Sequence, residues 1–146
     1  MKINGYCLFF TILTSICFQM AIIPEAQSMN VQLIVHPDVS DTISVSDIRN
    51  IFLGKKTQWK SNQSIRFVLL TEKTTYQSFI THYVGKTLYQ YRNYWRKKVF
   101  TGTGMMPIMF SEVEKSIDYV RRTKGAISYI PASQDVSDGV KILVVD

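Results

Sequence analysis

The chain has 146 residues, two cysteines and a formal charge of +6, from 17 Lys plus Arg against 11 Asp plus Glu. That length holds one domain with its own core and excludes two lobes around a deep cleft. The basic balance favours anionic partners, and both cysteines, Cys7 and Cys17, fall in the first segment, which excludes a disulfide framework or a thiolate metal site in the rest of the chain.

Lys2 is followed by the apolar run "GYCLFFTILTSICFQMAII" and then by "PEAQS". A basic start, a long apolar stretch and small residues at Ala26 and Ser28 read as a secretory signal peptide cleaved before Met29. The run approaches the ~18 residues that span a bilayer, which leaves an uncleaved membrane anchor as the alternative. A lipid-anchored cysteine is disfavoured, because Ile16 stands before Cys17 where Gly, Ala or Ser is wanted. Residues 1–28 are therefore expected to be a leader and residues 29–146 a single domain exported to the periplasm. Losing Lys2 and Glu25 leaves the charge at +6. In that compartment nucleic acid is not an expected partner, whereas a small oxyanion, anionic lipid or an acidic protein surface is.

"VQLIVH", Val31 to His36, alternates and is rich in β-branched residues before Pro37-Asp38, which predicts a strand and a turn. Ser44 with Asp47 three residues on predicts a capped helix, with Val45, Ile48 and Phe52 on its inner face. Gly54 stands where the chain leaves that helix in a left-handed conformation, and Lys55 and Lys56 lie near the negative end of the helix dipole. "IRFVLL", Ile65 to Leu70, is a continuous apolar run of strand length, expected to be covered on both faces. Tyr76, Phe79, Ile80, Tyr83 and Val84 then follow helical spacing up to Gly85. A further helix is predicted in "KTLYQYRNYWRKKVF", with Leu88, Tyr91 and Trp95 inward and Arg92, Arg96 and Lys97 outward.

"TGTGMMP" reads as a loop, and Val113, Ile117 and Val120 as the inner face of a last helix closed by Gly125. "AISYI" and "VKILVV" predict two more strands, separated by the turn-rich "PASQDVSDG". Strands alternating with helices imply an α/β layered domain.

"IFLGKKTQW" resembles the I-F-L-G-K-x-x-x-W signature of the phosphate-binding component of phosphate ABC transporters. "YWRKKVFTGTGMMP" is similar to the family's Y-W-x-x-x-x-F-x-G-x-x-x-P segment, and "VRRTKGAISYI" to its V-x-x-T-x-G-A-I-G-Y-V strand, in the same order. The resemblance spans about Val31 to Ile130 and implies a periplasmic-binding-protein fold of the second type, here a short member with one lobe: a mixed β-sheet flanked by helices. It also implies an oxyanion ligand, no cofactor, no metal and no catalysis. In the family an R-S-x-x-S-G-T-T segment holds phosphate where a strand turns into a helix. "LLTEKTTYQSF" matches it only at Thr74 and Thr75.

Locally, the amides of the first turn after Lys73, the hydroxyls of Thr71, Thr74 and Thr75 and the charge of Lys73 make a candidate oxyanion site. Glu72 subtracts charge there, and Thr71 or Thr74 as a plain helix cap is the structural alternative. "GKT" at Gly85 to Thr87 lacks the earlier glycine of a phosphate loop, since Ile80 stands in its place, and "GTG" at Gly102 to Gly104 follows no strand. His36 and His82 have no H-E-x-x-H spacing, and no G-x-S-x-G elbow is present. Trp59 and Trp95 read as core or as partner surface, and Arg92, Arg96, Lys97, Lys98, Arg121 and Arg122 as solvated helix faces or, were the last helices side by side, one basic patch. Two functions stand: reversible capture of phosphate or a related oxyanion for an ABC transporter, or an envelope adaptor or sensory accessory, self-associating or bound to another protein, that kept the lobe and lost the ligand.

Overall fold

A computed structural model describes residues 30–136 and 139–145. The leader read from residues 1–28 lies outside the described residues, as do two positions of the turn-rich stretch before the last strand. Five strands form one mixed sheet in the order β3-β2-β4-β1-β5. They are β1 (Val31–Val35), β2 (Arg66–Leu70), β3 (Ile108–Phe110), β4 (Ala126–Pro131) and β5 (Lys141–Leu143). β1 runs antiparallel to β4 and β5, while β2 runs parallel to β3 and β4. The helices are α1 (Val45–Phe52), α2 (Lys73–Phe79), α3 (Leu88–Phe100) and α4 (Val113–Arg122). The predicted single-lobe α/β architecture with a mixed sheet flanked by helices is the one observed.

Side-chain alternation along β4 separates the two layers. Ser128 hydrogen bonds to Ser116 of α4 at 2.7 Å, while its neighbour Tyr129 stacks on Phe79 of α2 with ring centroids 3.7 Å apart. Adjacent strand residues point to opposite faces, so α4 covers one face and α2 the other. α1 and α3 join α2, because Phe52 packs on Phe79 and Tyr129, and Trp95 packs on Phe67. The Tyr129 hydroxyl donates to the Leu70 carbonyl at 2.8 Å, which satisfies a polar group that would otherwise be expensive to bury. Burial itself pushes the phenol pKa well above its ordinary value, and the bond to Leu70 works against that rise.

Local chemistry sets the ends of the elements. Ser44 and Asp47 form the expected capping box on α1, and Lys56 returns to Asp47 at 2.8 Å. Val45, expected inside, lies at the helix entrance and is 38% exposed, while Ile48 and Phe52, as expected, and Ile51 fill the core. The helix expected through Val84 changes at Ile80 into a π-helical turn, Ile80–Val84, which ends at Gly85 with φ +69°. β2 is buried only in its second half, since Arg66 is exposed. β3 falls between the loop and the last helix, where the sequence pattern predicts no strand.

Candidate functional site

The three sequence blocks meet in space, and they meet as a structural joint. Gly54 takes φ +63°, and a Cβ there would come within 2.8 Å of the Trp95 ring, so only glycine admits both the turn and the close approach. Tyr94 donates to the Leu53 carbonyl at 2.7 Å, and the Lys98 ammonium reaches the Leu53 and Gly54 carbonyls at 3.2 and 3.4 Å while lying over Trp95. Those carbonyls are the open end of α1, where a cation is favoured. The indole of Trp59 donates to the Gly125 carbonyl at 3.0 Å, which ties the first block to the third. Both tryptophans are thus core. The Trp95 indole Nε1 is buried with no hydrogen-bond acceptor among the described residues.

The start of α2, where the oxyanion site is expected, carries its own carboxylate. Glu72 is the helix cap, and its two oxygens accept from the Thr74 amide at 3.1 Å and the Thr75 amide at 2.8 Å. The Thr75 hydroxyl also bonds it, and these bonds together hold the Glu72 carboxyl below the usual carboxylate range. The cap is therefore neither of the threonines weighed for it. Thr71 directs its amide and its hydroxyl at the Phe110 carbonyl, at 2.7 and 3.1 Å, and so joins β2 to β3. Thr75 is buried, whereas Lys73 and Thr74 line a surface groove with Gln77 and His82. Of the four expected residues, Thr71 alone lines the adjoining cavity.

That cavity, of about 350 Å³, lies at the C-terminal end of the parallel strands on the α2 and α3 side. Leu69, Tyr76, Tyr91, Trp95 and Met109 make its apolar walls, and Arg92 and Arg96 stand at its mouth one helical turn apart. Burial raises the Tyr76 pKa, and Arg92 beside it works against that rise by favouring the charged phenolate. The Tyr91 hydroxyl is spent on the Phe52 carbonyl at 2.7 Å.

The remaining candidates have structural partners. Thr87 of the "GKT" stretch forms a capping box with Gln90 at the start of α3. Gly102 of "GTG" takes φ +69° beyond the end of α3, and the hydroxyls of Thr101 and Thr103 donate to the Lys97 and Lys98 carbonyls at the end of that helix. His36 pairs with Asp38 at 2.6 Å. Partial burial raises the Asp38 pKa, but bonds from Gln63, His36 and the Gly125 amide outweigh it and leave it lowered. α3 and α4 lie on opposite faces of the sheet, so their cations do not form one patch; Arg122 pairs with Asp118 at 2.9 Å on its own helix. Among the described residues no group of three or more His, Cys, Asp or Glu side chains is placed to hold a metal, and no helix is long and apolar enough to cross a membrane.

No family model and no curated protein matches the chain. Solved structures do. A phosphate ABC transporter substrate-binding protein with bound phosphate from Clostridium perfringens superposes with a TM-score of 0.60 at 20% identity, covering 80% of this chain and 44% of that one. PstS from Borrelia burgdorferi gives 0.58 at 18% identity over 80% and 47%. An ABC-type phosphate transport receptor from Vibrio cholerae gives 0.53 at 13% identity over 78% and 45%. The chain spans less than half the length of these proteins, and the likeness is one of fold. The family resemblance carried by the three sequence blocks holds at that level.

Proposed function

We propose that this chain is an exported single-lobe protein of solute-binding architecture that works by docking to another envelope protein and does not capture free phosphate. The observation that supports this is the Glu72 carboxylate on the Thr74 and Thr75 amides: an internal anion sits where the helix start would receive an external one. A phosphate brought there meets a like charge and engaged donors.

A second reading keeps Thr71, Lys73, Thr74 and Thr75 as an oxyanion site that opens when Glu72 swings away. Its support is the fold shared with a protein crystallised with bound phosphate. Calorimetric titration of the purified protein with phosphate, sulfate and chloride separates the two. The first predicts no saturable heat specific to phosphate. Saturable phosphate heat that survives chloride and disappears in Thr74→Val/Thr75→Val would establish the second. Export is checked by sequencing the N-terminus of the protein recovered from the cell envelope, which is expected to begin at Met29.

A further inference from the structure

The charge of the chain is concentrated in one stretch. Residues 73–111 contain Lys73, Lys86, Arg92, Arg96, Lys97 and Lys98 and not one Asp or Glu, so the +6 of the whole chain arises there, while the other 11 basic residues are matched by the 11 acidic ones. The same stretch carries most of the exposed apolar surface. Phe100 is 91% exposed and Met105 88%, and Met106, Ile108 and Met109 follow as the loop turns into β3. Exposed apolar side chains gathered in this way in one stretch of the chain point to an interaction site.

Two further features give that surface its shape. β3 is an outer strand of the sheet, and among the described residues nothing pairs with its free edge. Beside it opens the cavity of about 350 Å³, lined by Met109 and by Arg92 and Arg96, whose guanidiniums have no carboxylate partner among the described residues. An unpaired edge offers main-chain donors and acceptors, a pocket beside it selects a side chain, and the arginines select charge.

We propose that this surface docks an acidic, amphipathic segment of a partner protein, which adds as a strand to the free edge of β3, seats an apolar side chain in the cavity and sets a carboxylate against Arg92 and Arg96. The inference rests on the docking reading above and names its surface and the chemistry of its partner. A second copy of this chain fits poorly, because a two-fold pairing brings the same cations face to face. A lipid surface uses neither the strand edge nor the concave pocket.

The test is selection of a displayed random peptide library on the purified protein, followed by fluorescence anisotropy with the enriched synthetic peptides. The expected peptides alternate Asp or Glu with apolar residues, and Arg92→Glu/Arg96→Glu weakens them about tenfold or more. N-methylation of alternate peptide nitrogens, which leaves the protein untouched, is expected to abolish binding in one of its two registers. No enrichment, enriched peptides without acidic residues, or binding indifferent to the double charge reversal in a variant with the wild-type circular dichroism overturns the proposal. So does sedimentation with phosphatidylglycerol vesicles that peptide does not compete and Phe100→Asp removes, which would assign the surface to lipid. Saturable phosphate heat in the calorimetry refutes the docking reading itself, whatever the peptides do.

Discussion

α3 has two sides with opposite fates. Its inner side, Tyr91, Tyr94 and Trp95, closes on α1 and the sheet, and each hydroxyl there finds a backbone carbonyl. Its outer side, Arg92, Arg96 and Lys97, and the chain beyond it through Phe100 and Met105, are exposed, and among the described residues none of these three cations has an ion-pair partner. The sequence blocks that resemble the phosphate-binding family divide between the two: Leu53, Gly54, Tyr94 and Trp95 belong to the first side, and Phe100 of the second block lies beyond it, exposed. The motif residues at the joint are therefore evidence of how the lobe is held together.

Breaking the inner joint has the largest expected effect. Trp95→Ala removes a ring packed on Gly54, Phe67 and Tyr91 and should lower stability by about 3–5 kcal/mol in urea unfolding. Gly125→Ala drives a Cβ into the Ser64 carbonyl at a position with φ +71°, and about 2–3 kcal/mol is expected by the same measurement. Replacing Thr87 by Ala opens the capping box of α3 and should remove about 1 kcal/mol. On the outer side Arg96→Ala is expected to stay within about 0.5 kcal/mol of wild type, which sharpens the contrast; a larger loss would make the outer side structural too.

A pH dependence follows from the two helix caps. Asp47 is lowered chiefly by Lys56, and Glu72 by Thr75 and Thr74. Each carboxyl binds its proton less readily folded than unfolded, so its contribution to stability is present above the ordinary carboxylate pKa. It is lost as pH falls through the lowered folded value. Glu72→Gln should therefore weaken the protein at neutral pH and converge with wild type in acid, as read from unfolding midpoints across that range.

Much of the fold was legible because local chemistry and pattern agreed. Ser44 with Asp47 capped α1, Gly54 and Gly85 took left-handed conformations, and β1 and β4 followed their apolar runs. β3 was not legible, since "IMF" is three residues long and becomes a strand only by pairing with β2, a contact distant in sequence. The π-helical turn escaped because Ile80, Tyr83 and Val84 keep their inward spacing in either winding. At the candidate site, Glu72 was visible as a charge but not as a cap. Serine, threonine and aspartate are the favoured caps, and the two threonines that follow it drew the assignment. The clue available in the sequence was a carboxylate two and three residues before Thr74 and Thr75, within reach of both amides.

The central claim is that Glu72 keeps the start of α2 closed to anions. Its most direct test follows the Thr74 and Thr75 amide resonances by NMR while phosphate is added at neutral pH and constant ionic strength. The account predicts that both stay in place as phosphate rises and move only when acid protonates Glu72. Saturable phosphate-dependent shifts of these two amides at neutral pH, absent with chloride, would contradict it.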